Sequence, residues 1–190
     1  VNRIEKISIL LGDVALPLMG YLFWNWNFYF ILLFFMLDQV ARTVFLPWRL
    51  KLTTLSSAEK NGLVFRQSML LFIELIVIHA AIYLQNPQVN FGKEVISFLT
   101  YKDMGIQQGF VLLPLLVASE WMRIRNELKL GIVGNRQVQI INHNKRIAFF
   151  RIGFFAFLSG ILNLVVLPEW ILVVGFLAFI TLLVFVPNKN

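Results

Sequence analysis

An all-α integral membrane protein, with six transmembrane helices arranged as three antiparallel hairpins, is the fold class that this sequence predicts. Three observations lead there. The 190 residues are 58% hydrophobic and 14% charged, with 19 Phe, against about 45–50% apolar and about 25% charged in an ordinary soluble domain. A 22.0 kDa chain of mean hydropathy +0.75 has too much apolar surface to hide, because a globule of this size leaves about 30% of its unfolded surface in solvent. Six apolar stretches, 7–23, 28–47, 63–84, 106–122, 147–166 and 170–187, approach the roughly 20 residues that cross a hydrocarbon core about 30 Å thick. Lys and Arg gather on alternate connections between these stretches, as the positive-inside rule requires.

The first stretch follows Arg3 and Lys6, a start shared with cleavable signals. Asp13 interrupts it and no small-x-small pattern precedes Trp24, so it reads as a retained span. Trp24, Asn25, Trp26 and Asn27 combine turn-forming amides with indoles suited to the headgroup region, which predicts a tight hairpin into the second span. The second hairpin has a longer connection, 85–104, where Phe91, Val95, Phe98 and Leu99 either share one face of a short interfacial helix or belong to an irregular loop. The segment 122–146 reads as a solvated basic loop, and as the largest surface for docking or for anionic lipid. Within it, Gly131 and Gly134 have the spacing of a turn.

Pro168, Glu169 and Trp170 punctuate the third hairpin. Its first helix carries a small-residue face, Gly153, Ala156 and Gly160, where the sixth span is expected to approach closely through Gly175 and Ala178. Pro17 and Pro114 fall inside spans and are expected to kink them. Residues 1–190 thus read as one six-helix membrane domain.

Twelve Lys and Arg lie on the side of the termini and two, Lys93 and Lys102, on the other, with Arg42, Arg66 and Arg151 inside the spans. Both termini are therefore expected to be cytoplasmic, in a bacterial inner membrane. The net charge of +7 needs no specific nucleic-acid partner once this asymmetry accounts for it.

With zero Cys, disulfides, thiolate nucleophiles and thiolate metal sites are excluded together. The chain contains no His-Glu-x-x-His, Gly-x-Ser-x-Gly, Gly-x-Gly-x-x-Gly or phosphate loop. His79 and His143 do not lie in paired spans, which argues against a bis-histidine haem, and no cofactor or metal is expected. His79 sits about 140° around its helix from Glu74, so the two form no dyad, and Tyr83 is the expected hydrogen-bond neighbour of His79.

The informative residues are charges inside apolar runs. Each costs on the order of 2.5–3.5 kcal/mol to insert and so faces inward with a partner. Counted from the cytoplasmic end of each span, the depths are roughly 9 Å for Asp13, 14 Å for Asp38, 8 Å for Arg42, 16 Å for Glu74 and 6 Å for Arg151. Asp13, Arg42, Arg66 and Arg151 read as an intramembrane ion-pair network, with Arg42 bridging Asp13 and Asp38. Asp38 and Glu74 share a depth near the midplane, where two facing carboxylates would share a proton or a cation. The alternative is separate neutralisation, Asp38 by Arg42 and Glu74 by Arg66 or by a protein partner. Ser159 and Asn163 extend a polar face upward from Arg151.

Two functions compete on this basis. One is a small proton- or cation-linked transporter or channel-like protein built on Asp38 and Glu74, in a homo-oligomer if six helices do not enclose a pathway. The other is a non-catalytic accessory or scaffold subunit of a larger membrane complex, with the charges fixing helix register. A lipid-modifying enzyme ranks third, since only Glu120, Arg123 and neighbouring bases offer it a polar constellation.

Overall fold

A computed structural model describes residues 11–102 and 107–185. Arg3, Lys6 and Lys189, which enter the charge count, lie outside the described residues, as do the outer ends of the first and last predicted spans. Within the described residues the fold is all-helical. A π-helical turn, Leu11–Ala15, leads into α1 (Leu16–Phe23), followed by α2 (Phe28–Leu50), α3 (Ser57–Gln85), α4 (Phe91–Thr100), α5 (Gln108–Lys129), α6 (Asn135–Leu162) and α7 (Glu169–Val184).

Two of these helices, α2 and α3, are long and apolar enough to cross a membrane. The apolar helices Gly12–Phe23 and Glu169–Val184 are shorter. Polar residues break the hydropathy of α5 and α6, each of which continues well beyond its predicted span into charged sequence. The basic segment 122–146 is accordingly not an open loop. α5 runs on to Lys129, a turn at Gly131 and Gly134 with φ of +67° and +61° reverses the chain, and α6 has already begun at Asn135. Left-handed backbone is what glycine supplies there without steric penalty. Residues 91–100 form the helical alternative of the connection 85–104, with Phe98 buried.

Local chemistry sets the helix boundaries. Asn27 caps α2, its Oδ1 accepting from Phe30 N at 2.7 Å, while Asn25 takes φ +47° in the turn before it. Ser56 and Glu59 form a reciprocal capping box at the start of α3. Pro17 stands in the first turn of α1, where a missing N–H costs nothing, and the π-turn immediately precedes it.

α2 is the central helix. Its first nine residues, Phe28 to Met36, are all buried, and it touches α1, α3, α4, α5 and α7. The most extensive helix pair, however, is α3 with α6. The arrangement is therefore not a series of self-contained hairpins. α6 and α7 meet through large rings, Phe154 stacked on Phe179 at 4.1 Å and Phe155 tilted against Phe176 at 5.8 Å. Such rings hold the two backbones apart. The small-residue face on α6 points elsewhere: Gly153, Ala156 and Gly160 are exposed, and a Cβ added at either glycine meets nothing within 4 Å. Close packing on that face within the third hairpin is not what the fold uses.

Close approach occurs instead at Gly20, where an added Cβ would come within 2.4 Å of the Trp26 ring. Trp26 is buried in the core rather than at a polar boundary, because its Nε1 donates to Gln108 Oε1 at 3.1 Å. Gln108 Nε2 donates to Phe98 O at 2.7 Å, so one amide ties the α1–α2 turn to α4 and α5.

Large apolar side chains are exposed on the long helices while a few charged residues are buried between them. α3 turns Leu70, Glu74, Ile78, Ala81 and Ile82 inward and presents Phe65, Met69, Phe72, Ile73 and Ile76 outward. α6 buries Ile141, Ala148, Arg151, Phe155, Leu158 and Leu162 while exposing Phe149, Phe150 and Phe157. Paired charges are thus buried on the same helices that expose large apolar side chains, although the core itself is rich in aromatic rings and the other described charged residues are exposed or half-buried.

Candidate functional site: a charge-paired interior

Glu74 and Arg151 occupy the middle of the inward stripes of α3 and α6, so the packing of those two helices brings them together. Arg151 Nε lies 2.6 Å from Glu74 Oε1, and Nη2 lies 2.9 Å from Oε2. This is the bidentate fork of a strong charge-assisted pair. It is also deeply placed, with Glu74 2% and Arg151 6% exposed. The Phe35 ring covers the guanidinium at 5.4 Å.

The network continues through Gln39, a residue that the sequence reading does not single out. Arg151 Nη2 donates to Gln39 Oε1 at 3.1 Å, and Gln39 Nε2 donates to Asp38 Oδ2 at 3.2 Å. A guanidinium only donates and a carboxylate only accepts, so the two neighbours fix the orientation of this amide. Asp38 Oδ2 lies 2.6 Å from Arg42 Nε, one turn along α2, and Arg42 Nη2 reaches Asp13 Oδ2 at 3.4 Å. One chain of polar contacts thus runs Asp13, Arg42, Asp38, Gln39, Arg151, Glu74 across the π-turn, α2, α3 and α6.

Asp38 and Glu74 belong to this network without touching. Each has its own arginine, and no hydrogen bond joins the two carboxylates among the described residues. The partner of Glu74 is Arg151 and not Arg66, which is exposed on the outer face of α3. Ser159 does not extend a path from Arg151, since its hydroxyl donates to Phe155 O at 2.8 Å, and Asn163 is exposed.

A second buried cluster joins α2 to α5 and α6. Arg49 Nη2 contacts Glu120 Oε1 at 3.2 Å and Glu127 Oε1 at 2.9 Å, and Arg123 Nη2 holds Glu120 Oε2 at 2.5 Å. Gln137 Nε2 donates to Glu127 Oε2 at 2.9 Å. Reading 122–146 as a solvated loop hides Glu127 and Gln137. A signal was present: Leu116, Glu120, Ile124 and Glu127 recur at helical spacing on one buried face of α5.

Between the two clusters lies a cleft of about 50 Å³ lined by Gln39, Arg42, Thr43, Arg49, Gln67, Asn144 and Arg151 together with Leu46, Ile141 and Ile147. At the other end of the fold His79 is held structurally. Its Nδ1 lies 2.7 Å from Leu75 O, which can only accept, so Nδ1 carries a proton, and in the neutral ring Nε2 then accepts from Tyr29 OH at 3.1 Å. The partner is Tyr29 rather than Tyr83, which is exposed. Glu169 accepts from Phe28 N at the head of α2. Among the described residues no three His, Asp or Glu side chains gather as a metal-ligand set. Comparison with protein-family models, with curated proteins and with solved structures gives no match for this chain.

Proposed function

We propose that this chain is a six-span membrane protein that moves a proton, or a small ion coupled to one, through its charge-paired interior. The membrane part of the reading draws on the large apolar side chains that face out on every long helix, together with the burial of Glu74, Arg151, Arg49 and Glu120 as ion pairs. Lipid is the solvent in which that distribution is stable. α2 and α3 supply two spans, and the others come from α1 with its π-turn, the apolar parts of α5 and α6, and α7. The twelve-to-two distribution of basic residues supports cytoplasmic termini in a bacterial inner membrane.

The observation that carries the transport reading is the unbroken polar chain from Asp13 to Glu74 beside a cleft. Arginine stays protonated in a protein, so any proton must be taken by a carboxylate. Protonating Asp38 or Glu74 removes the charge that holds Arg42 or Arg151, and the freed guanidinium then has the cleft to turn toward. Coupling thus takes the form of an ion-pair exchange rather than a cation resting between two carboxylates. The test is proton flux in reconstituted vesicles. Asp38→Asn combined with Glu74→Gln abolishes it on this reading, and unchanged flux overturns it.

A second reading, an accessory or scaffold subunit, draws on the same geometry, since each carboxylate already has a guanidinium partner. It predicts a stoichiometric partner on purification in mild detergent, and replacement of the Glu74–Arg151 pair by apolar residues without loss of assembly.

A further inference from the structure

The cleft between α2, α3 and α6 is lined in part by the arginines of the two ion-pair clusters. Three guanidiniums reach it, Arg42 and Arg49 seven residues apart on one face of α2 and Arg151 from α6, together with the amides of Gln67 and Asn144. Among the described residues no carboxylate lines it. Asp38, Glu74 and the Glu120–Glu127 pair hold the arginines from outside this lining. The polar part of the lining is therefore rich in N–H donors, beside the apolar Leu46, Ile141 and Ile147.

Arg49 adds an independent observation. It is 3% exposed; its Nη2 satisfies two glutamates, yet its Nε has no acceptor among the described residues. A buried cationic N–H without a partner is costly, and such a group marks a place where an acceptor is missing. At roughly 10–15 Å³ per water-sized group, about 50 Å³ accommodates three or four oxygen-sized groups. That is the size of a tetrahedral oxyanion and too small for a nucleotide. The guanidinium N–H groups that these carboxylates leave uncommitted, converging from two helices, suit phosphate, whose oxygens accept in several directions.

We infer that this cleft binds a phosphate group, as free phosphate or as the headgroup of an anionic phospholipid, on Arg42, Arg49, Arg151 and Asn144. The site does not depend on transport, because a chain that conducts nothing would still bind here.

The experiment uses the full chain in an uncharged detergent and phosphate-free buffer, with thermal unfolding followed by Trp fluorescence. Inorganic phosphate is titrated against chloride at matched ionic strength, and the chain is compared in phosphatidylcholine nanodiscs with and without phosphatidic acid. A saturable rise in unfolding temperature with phosphate identifies the free anion, and a rise confined to phosphatidic acid identifies the headgroup; either supports the site. Arg49→Lys should weaken the effective ligand about tenfold by removing the guanidinium N–H groups not held by the glutamates. Asn144→Leu and Gln67→Leu, which break no ion pair, should weaken it in the same direction and keep the test valid if Arg49→Lys does not fold. No stabilisation beyond chloride by phosphate or phosphatidic acid overturns the inference, as does unchanged affinity in both amide variants.

Discussion

Arg151 and Glu74 neutralise each other where neither can be hydrated, so deleting one partner differs from deleting both. Arg151→Met leaves Glu74 buried and unpaired, at a cost of about 3–5 kcal/mol. Adding Glu74→Leu should restore most of that loss, which unfolding of both variants in detergent will measure. A double variant as unstable as the single one would mean that the pair contributes more than mutual neutralisation. Asp13, Asp38, Arg42, Glu74 and Arg151 are conspicuous in the sequence because a charge in an apolar run stands out without a structure, and all five lie in one network. Choosing Arg66 over Arg151 as the neighbour of Glu74 fails for a physical reason. Residue counting along a helix fixes height, but not which side of the bundle each helix presents. Gln39 carries no charge and so gives no such signal, although its amide links the two arginine pairs.

At the scale of elements, the glycines separate two kinds of packing. Gly20→Ala drives a Cβ into the Trp26 ring and should cost about 1–3 kcal/mol. Gly160→Ala meets open space and should stabilise α6 by up to about 1 kcal/mol through helix propensity. Thermal unfolding of the two variants should therefore shift in opposite directions; destabilisation by Gly160→Ala would reveal a close contact on that face. The start of α3 is sensitive to acid. Hydrogen bonds from the Ser56 hydroxyl and backbone hold the Glu59 carboxyl below the usual glutamate range. Its stabilising effect is thus complete above the ordinary glutamate pKa, about 4.3, and is lost as pH falls through the lowered folded value. Amide exchange in the first turn of α3 should accelerate on acidification, and Ser56→Ala should reduce that pH dependence to the part due to the backbone N–H of residue 56. Helix identity is legible in the apolar runs, whereas the helical continuation of 122–146 is not, because its buried face contains Glu120, Glu127 and Gln137 in place of hydrocarbon.

At the scale of the whole molecule, hydropathy and the alternation of basic loops convey the apolar, helical character of the chain, but not which helices pair. α3 pairs with α6 over the most extensive helix contact, which encloses the Glu74–Arg151 ion pair, while large rings stand between α6 and α7. The central claim is that the outward apolar faces meet lipid. Phe72, near the middle of α3, is 58% exposed, and the chain contains zero Cys, so a single introduced thiol reports on its own surroundings. The decisive measurement is the rate at which a water-soluble maleimide modifies Phe72→Cys in opened native membranes, with Ala58→Cys at the exposed start of α3 as reference. The account predicts rapid modification at position 58 and none at position 72 until the bilayer and fold are dissolved in SDS. Equal rates at the two positions before SDS would place Phe72 in water and contradict it.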